Sequence, residues 1–333
     1  MIRTPAFWHR PEAGLRAKLL APLGRLYGAA TARAMAEPGL HVGVPVVTVG
    51  NFVAGGAGKT PTAIAIAELL TVAGEQPAFL SRGYGGMPPL DAIAVDGQPA
   101  KIVGDEPILL SRVAPTFVGP MRVRAAHLAI KMVRPTVLIC DDGLQSRAIE
   151  PALAIAVVDG ASGVGNNLCV PAGPLRAPLA DQIACIDALV LVGAGERGEA
   201  VAAQVEAQGR PCFYADLEPA GGARRLAGAR VLAFAGIGVP QKFFRMLEEV
   251  GARVIGTRAF PDHHVYRPRE IARLQAQARE EGAMLVTTEK DIVRLPTLRS
   301  GGVRVHAFGV RLTFRDETSV LRYVQSRLHG GQG

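Results

Sequence analysis

Long apolar runs are missing from this sequence, and so is any regular cysteine pattern. No stretch of about twenty uncharged apolar residues occurs, and the N-terminus lacks the apolar core and small-residue cleavage site of a signal peptide. The four cysteines show no C-x-x-C spacing, which argues against a zinc site or a disulfide framework. These absences predict a cytoplasmic chain with reduced thiols, and its 333 residues are enough for two domains.

Positive charge is concentrated at the N-terminus. The net charge is +8, and residues 1–40 hold six cations against two acids, a net +4. Leu15, Leu19, Leu23 and Leu26 recur there at three- and four-residue spacings between basic side chains. This pattern favours a basic amphipathic segment over residues 1–40 that associates with a membrane surface. An ordinary helix packed on the core, with its arginines in water, is the alternative.

Nucleic acid is a poorer partner for this charge than a membrane. The sequence has neither an aromatic-basic RNA motif nor a helix-turn-helix pattern. An anionic membrane surface or an anionic substrate is therefore expected, with no nucleic acid, and the sequence indicates no obligate protein partner.

A β-branched run, Val46–Val49, leads into a glycine-rich loop and then an alanine-rich helical pattern. This order directs backbone N–H groups into one concavity at the positive end of a helix, as phosphate binding requires. Lys59 should reach the β- and γ-phosphates, and the Thr60 hydroxyl should bind Mg²⁺. Val53 replaces the first glycine of the usual G-x-x-x-x-G-K-[ST] pattern. The predicted loop residues are Gly55, Gly56, Ala57, Gly58, Lys59, Thr60 and Pro61.

Acidic residues occur where two further elements meet loops. Asp141 and Asp142 follow the apolar strand 136–140, and a magnesium-triphosphate site needs such carboxylates beside Thr60. A pair of turn-forming aspartates is the alternative. Asp105 opens a predicted helix, where it is either a partner of the helix dipole or a base.

Repeated alternation of strand and helix predicts an α/β protein. The first part, residues 41–222, should form a P-loop NTPase-type, doubly wound, mostly parallel sheet. Arg82 follows one of its strands, so it faces the ligand crevice or lies in a surface turn. A stretch rich in Gly, Ala and Arg around 221–230 is interpreted as a linker. A second, smaller α/β domain over 228–333 should close over the active site.

Several motifs occur in an order that closely resembles the tetraacyldisaccharide 4′-kinase (lipid A 4′-kinase) family. The resemblance covers residues from about 5 to 310 and includes the phosphate loop. Its other motifs are Ser81-Arg82-Gly83-Tyr84-Gly85, Gly104-Asp105-Glu106-Pro107, Asp141-Asp142-Gly143-Leu144-Gln145, Pro171-Ala172-Gly173-Pro174-Leu175-Arg176, Phe234-Ala235-Gly236-Ile237-Gly238, Phe260-Pro261-Asp262-His263-His264 and Thr287-Thr288-Glu289-Lys290-Asp291.

The resemblance implies a kinase that uses ATP and Mg²⁺ to phosphorylate the 4′-hydroxyl of a tetraacylated glucosamine disaccharide 1-phosphate. The enzyme would be peripheral on the cytoplasmic face of the inner membrane. It also implies Asp105 as the base for the sugar hydroxyl and His263, from the second domain, as its partner, with Lys59 on the γ-phosphate. Without the resemblance, the adjacent histidines could equally cap a turn.

The resemblance further implies where the anions are bound. Asp142 and Gln145 would serve the magnesium and phosphate site, with Asp141 as a second carboxylate. Ala177 stands where the family usually has Glu, so Asp141 or water would replace any metal contact of that acid. The candidate contacts to the nucleotide or the lipid phosphate are Arg82, Arg124 and Arg176.

Two other functions are compatible with a phosphate loop and an amphipathic helix. A membrane-associated nucleotide switch or partitioning ATPase would hydrolyse slowly, respond to a protein partner and have no need of the histidines. A binder of anionic lipid or nucleic acid with a vestigial ATP site is the other. The Asp-Glu-Pro and Asp-His-His motifs favour the kinase.

Overall fold

The computed structural model describes residues 5–10, 14–56, 58–87, 89–296 and 302–330. Within these ranges the chain forms thirteen strands and eleven α-helices, with 3-10 turns at Ala6–His9 and Ala223–Leu226. The strands are β1 Val46–Asn51, β2 Pro77–Ser81, β3 Ile93–Ala94, β4 Thr116–Val118, β5 Val137–Asp141, β6 Leu153–Asp159, β7 Ala188–Val192, β8 Cys212–Pro219, β9 Arg230–Ala235, β10 Arg253–Ala259, β11 Met284–Thr288, β12 Val305–Phe308 and β13 Val310–Phe314. The helices are α1 Leu15–Ala36, α2 Lys59–Val72, α3 Ala100–Val103, α4 Asp105–Leu110, α5 Arg122–Val133, α6 Leu179–Ala184, α7 Glu196–Glu206, α8 Pro240–Glu249, α9 Pro268–Glu280, α10 Glu289–Ile292 and α11 Glu317–His329.

The larger sheet contains nine of the described strands in the order β13-β8-β7-β6-β1-β5-β2-β4-β3. Its strands are parallel except at the two edges, where β13 pairs antiparallel with β8 and β3 with β4. The central strands β1, β5, β6 and β7 are buried along their whole lengths. Near-continuous apolar runs are typical of parallel strands covered on both faces. The predicted doubly wound, mostly parallel α/β fold is confirmed.

Pairing register brings the carboxyl ends of three central strands together. β1 lies between β5 and β6, with Val49 opposite Asp141 and Asn51 opposite Val157. The phosphate loop leaves the end of β1, and Asp159 ends β6. Ligands of open α/β sheets bind in the crevice outside such strand ends. The fold therefore directs the loop and the acidic residues to one edge.

The smaller sheet has the order β10-β9-β11-β12, and all its pairs are parallel. Alternate residues of β9 point to opposite faces, as the strand period of two requires. Val231 and Ala233 pack with α8, while Leu232 and Phe234 pack with α9. This second α/β unit thus has a core on each face of its sheet.

The end of the chain returns to the larger sheet. Leu312 and Phe314 of β13, with Val320 and Val324 of α11, are buried in the core that contains β1 and α2. The structure therefore differs from the predicted second domain of 228–333. The second unit contributes strands only as far as Phe308.

Two more features of the connection between the sheets differ from the sequence analysis. Ala223 and Leu226, in the stretch interpreted as a linker, are buried in the core of the smaller unit. The chain crosses between the two sheets twice, and the crossings are joined because the Ala220 N–H donates to the Gly309 carbonyl at 2.9 Å. The linker is thus a packed segment beside a second crossing.

Helix α1 packs through its small residues and leaves its leucines outside. Ala17, Gly24 and Gly28 are buried, and a Cβ on either glycine would lie 2.6 Å from an atom of Cys169. The leucines are the exposed side: Leu15 is 75% exposed, Leu19 71%, Leu23 57% and Leu26 71%. The helix does pack on the rest of the protein with its arginines in water, as in the alternative, but it does so through its small residues and not through the leucines. No helix among the described residues is long and apolar enough to cross a bilayer.

Candidate active site

The phosphate loop is held by Asn51, a residue at the end of β1 that the sequence analysis did not select. Its Nδ2 donates to the Gly55 carbonyl at 2.9 Å, and its Oδ1 accepts from Lys59 Nζ at 3.3 Å. Gly55 and Gly58 have φ of 132° and 91°, where a side chain would be strained. Lys59 and Thr60 then begin α2, followed by Pro61. The predicted loop residue Ala57 lies outside the described residues.

The valine that replaces the first glycine of the loop motif is accommodated by an extended backbone. Val53 forms an antiparallel bridge with Leu175, and the neighbouring Ala54 N–H donates to the Pro174 carbonyl at 2.7 Å. A β-branched residue is suited to that conformation. The loop therefore needs glycine only further along, at Gly55 and Gly58.

Asp141 and Thr60 form the part of the site that fits a divalent cation. Thr60 Oγ1 donates to Asp141 Oδ2 at 3.1 Å, whereas the buried Oδ1 has no hydrogen-bond partner among the described residues. Burial, and then the nearby Glu106 carboxylate, raises the pKa of Asp141 to about 7. A bound Mg²⁺ would favour the charged form, and oxygen donors of this kind suit that ion. No group of three or more His, Cys, Asp or Glu side chains in the described chain could hold a metal by itself.

Asp142 is fixed by cations on two sides. Arg176 donates to its two oxygens at 2.9 and 3.1 Å, and Lys59 Nζ lies 3.7 Å away. Burial opposes ionisation, but Lys59 and Arg176 outweigh it and lower the pKa of Asp142 to about 2. The residue also has φ of 56°, in the left-handed region that non-glycine residues rarely occupy. Asp142 is therefore an anion at neutral pH, beside the loop.

Gln145, predicted to contact the nucleotide, links residues of the site to one another. Its Nε2 donates to the Asn51 carbonyl at 2.8 Å and to Gln182 Oε1 at 2.9 Å. Its Oε1 accepts from Arg176 Nη1 at 3.0 Å. Gln182 in turn donates to the Ala177 carbonyl at 2.7 Å, so the alanine where the family has Glu is held by its backbone. In the structure Gln145 orients Arg176, and its contact with a nucleotide stays a prediction.

The predicted arginines occupy different environments. Arg82 follows β2 on the surface, and partial burial, then the nearby Arg122 cation, lowers the pKa of its guanidinium, while Asp142 acts in the opposite direction. Arg124 lies on the exposed side of α5, 55% exposed, and pairs with Asp91 at 3.1 Å. Arg122, two residues earlier, lies in the site where Arg124 was predicted. Residues two apart on a helix face different directions.

That cation, Arg122, was not selected from the sequence. Its side chain is buried at the first position of α5, and Nη2 donates to the Asp141 carbonyl at 3.3 Å and to the Asp142 carbonyl. Its Nε and Nη1 have no hydrogen-bond partner within the described residues. A buried guanidinium with free donors is suited to an anionic ligand.

Asp105 and His263 meet across the boundary between the two units. His263 Nδ1 lies 3.2 Å from Asp105 Oδ2, and Asp105 is 2% exposed. Despite this contact, neither atom has a well-aligned hydrogen-bond partner in the part of the chain that the structure describes. The carboxylate's other oxygen accepts from the Glu106 N–H at 3.1 Å, as the helix-start alternative suggested. Oδ2 is therefore available to accept a proton from a bound hydroxyl.

The surroundings of the pair favour an ionised Asp105 carboxylate beside a protonated His263 imidazole. Burial opposes ionisation of Asp105, but His263 and Lys290 outweigh it and lower the pKa of that carboxyl. The nearby Asp105 carboxylate raises the pKa of His263, against burial. His264, by contrast, contacts Glu270 Oε2 at 3.0 Å. The first histidine of the motif is thus the one at the site.

Further ion pairs join the two units around this pair. Lys290 Nζ lies 2.6 Å from Glu106 Oε1, and Glu106 together with Asp105 raises the pKa of Lys290 despite burial. Lys242 of α8 pairs with Asp159 at the end of β6. Lys290 belongs to a motif of the sequence, but its pairing could not be predicted, because it depends on how the units dock.

Comparison with known proteins identifies the family. Residues 16–329 match the family described as tetraacyldisaccharide-1-P 4′-kinase. The chain belongs to this family. A tetraacyldisaccharide 4′-kinase of Bradyrhizobium sp. strain BTAi1 is 50% identical over 333 residues, which cover 98% of this chain and 96% of that protein. That of Methylorubrum populi is 50% identical over 328 residues, which cover 98% of this chain and 99% of that protein.

A solved tetraacyldisaccharide 4′-kinase structure has the same fold. LpxK from Aquifex aeolicus, crystallised in complex with ATP, matches with a TM-score of 0.72 and 25% identity over 95% of this chain and all of that one. The predicted family and the assignment as a kinase are confirmed. Membership in a kinase family argues against both the nucleotide switch and the vestigial binder.

Proposed function

We propose that this member of the tetraacyldisaccharide 4′-kinase family transfers the γ-phosphate of ATP to a lipid-borne 4′-hydroxyl, with Asp105 as the base and His263 as its support. The observation that carries the proposal is the contact of these residues at 3.2 Å, in a buried place formed by both units. Lys290 connects the pair to the phosphate site, because Asp105 and Asp141 both raise the pKa of its ammonium. This shared cation supports a single site that contains the base and the predicted cation ligands.

The reaction begins with proton transfer from the sugar hydroxyl to Asp105 Oδ2. The hydroxyl oxygen forms a bond to the γ-phosphorus while the bond from that phosphorus to the β–γ bridging oxygen breaks, which releases ADP. Lys59 and the loop N–H groups offset charge on the phosphates. His263 Nδ1, beside the same carboxylate oxygen, keeps Asp105 in the ionised form that accepts the proton.

Thr60, Asp141 and Asp142 are the residues that would hold Mg²⁺. The unpartnered Asp141 Oδ1 is the observation that supports this assignment. When bound, Mg²⁺ would neutralise charge on the β- and γ-phosphate oxygens. Because Arg176 already pairs with Asp142, Asp141 is the carboxylate with a free oxygen in the described site.

The substrate is expected to be a tetraacylated glucosamine disaccharide 1-phosphate presented at a membrane surface. Arg82, Arg122 and Arg176 form a cationic group near the loop for its phosphate or that of the nucleotide. Arg124, on the exposed side of α5, remains a further candidate. The exposed leucines of α1 support peripheral attachment, which we assign to the cytoplasmic face of the inner membrane, where ATP is available.

Transfer of radiolabelled phosphate from ATP to a lipid disaccharide, with a plain sugar as the control acceptor, tests this function. Loss of the base should reduce kcat by roughly 10²–10⁴-fold in Asp105→Asn. ATP binding should be unchanged, since the phosphate loop is intact. Asp96→Asn, at an exposed carboxylate, is the matched control and should keep full turnover. Unreduced turnover in folded Asp105→Asn would refute the assignment of the base.

A further inference from the structure

Arg294 lies just beyond α10, between the two units, and is 8% exposed. We infer that Arg294 is a positioning residue for the Asp105–His263 pair, an inference that rests on the roles proposed above for those two residues. Arginine is rarely buried without partners that use its charge or its planar donors. The Arg294 guanidinium uses its charge toward carboxylates and its planar donors toward backbone carbonyls.

A buried carboxylate fixes the orientation of the guanidinium. Asp291 is fully buried, and its Oδ1 lies 3.0 Å from Arg294 Nη2. The same oxygen accepts from the Tyr266 hydroxyl at 2.6 Å and from the Gly236 N–H at 3.0 Å. Nε donates to the Lys290 carbonyl at 3.0 Å, and with these partners the guanidinium has one orientation.

Arg294 supports His263 through one backbone carbonyl. Nη1 and Nη2 both donate to the Gly236 oxygen at 3.0 Å, and the His263 N–H donates to the same oxygen at 3.0 Å. His263 has φ of 54°, a left-handed conformation that a non-glycine residue keeps only where its surroundings hold it. The carbonyl that Arg294 holds is therefore one of the anchors of the imidazole.

Arg294 also faces the base directly. Its Nε lies 3.4 Å from Asp105 Oδ2, the oxygen that contacts His263 Nδ1. The cation adds to the lowering of the Asp105 pKa by His263 and Lys290, and it opposes the rise that Asp105 causes in the pKa of His263. Its removal should therefore raise both, so that the ionised carboxylate needed for catalysis is lost at a higher pH. The other charged or titratable groups around the pair are Lys290, Glu106, Asp262 and Tyr84.

Steady-state kinetics of full-length Arg294→Gln and Arg294→Lys across pH test the inference. For Arg294→Gln we expect kcat to fall by roughly 10–100-fold from loss of positioning, with KM for ATP within about twofold of wild type. The acid limb of its kcat profile should move to higher pH. Arg294→Lys keeps the cation but not the planar fork, so the limb should return to its wild-type position while kcat stays low. Arg273→Gln, at an exposed arginine on α9, is the control.

A wild-type kcat and pH profile in folded Arg294→Gln would overturn the inference, as would a reduced kcat with an acid limb that does not move. Thermal unfolding shows whether each variant is folded. Should Arg294→Gln fail to fold, Arg294→Lys decides: reduced kcat at unchanged KM for ATP supports the inference, and unchanged kcat overturns it. Asp105→Asn tests the proposed base separately from the role of Arg294. Turnover retained in that variant refutes Asp105 as the base, whatever the result for the Arg294 variants.

Discussion

The exposed leucines of α1 predict how strongly the protein binds a bilayer. Leu19 and Leu26 are each 71% exposed, one above the other on the same side of the helix. Full burial of a leucine contributes about 1.5–3 kcal/mol, so truncation of a mostly exposed one to Ala should remove about 1 kcal/mol of membrane affinity. The double variant should lose about 2 kcal/mol, which is about 30-fold in the partition coefficient.

Flotation with lipid vesicles measures this loss. Wild type and Leu19→Ala/Leu26→Ala would be compared on vesicles with and without anionic lipid, over a range of salt concentrations. Val72→Ala is the matched control, because Val72 is 88% exposed but lies at the end of α2. Each basic side chain of α1 near an anionic surface should contribute about 1 kcal/mol to binding. High salt screens this attraction, so wild-type binding to anionic vesicles should weaken as salt is added.

The kinetic counterpart separates membrane contact from chemistry. In the double variant the KM for lipid disaccharide in vesicles should rise by about the same factor as the partition coefficient falls, with kcat nearly unchanged. Partition equal to that of wild type, or an equal loss in Val72→Ala, would refute the assignment of this helix face to the membrane.

Two other predictions concern stability and pH. Phe314→Ala should lower the free energy of unfolding by about 3–5 kcal/mol in urea titrations, because Phe314 of β13 is buried in the core that contains β1 and α2. A loss under about 1 kcal/mol would contradict that packing. Asp142, with its pKa held at about 2, stabilises the fold fully above the ordinary value of 3.8 and ceases to do so as pH falls through about 2. The urea midpoints of wild type and Asp142→Asn should therefore differ most near pH 5 and converge near pH 2. A difference that is constant over this range would argue against ion pairing as its cause.

The phosphate loop and the acidic residues after β5 could be predicted because their patterns are local. A strand, a glycine-rich turn and a helix follow one another within residues 46–72, and Asp141 directly ends its strand. Register between neighbouring parallel strands then leaves little freedom in where these residues meet. The contact of Asp105 with His263 was expected from family resemblance, since nothing in their spacing along the chain indicates it.

Other parts of the site depend on packing between distant segments. Arg122 rather than Arg124 enters the site because the first turn of α5 points that side toward β5. Lys290 and Arg294 reach Glu106 and Asp105 only through the docking of the two units. Their sequence context is an ordinary polar helix end, and such a pattern carries no mark of a partner almost two hundred residues away.

Composition, periodicity and motif order alone were enough to indicate the α/β class, the phosphate site, the amphipathic character of α1 and the kinase family. These depend on short stretches whose physical requirements are met within the stretch itself. Tertiary structure decided that β13 closes the larger sheet, that the leucines of α1 face outward while its glycines pack, and that a buried arginine adjoins the base. Each of these is a choice among faces or neighbours that are locally equivalent, and only the burial of apolar area and charge across the whole fold distinguishes between them.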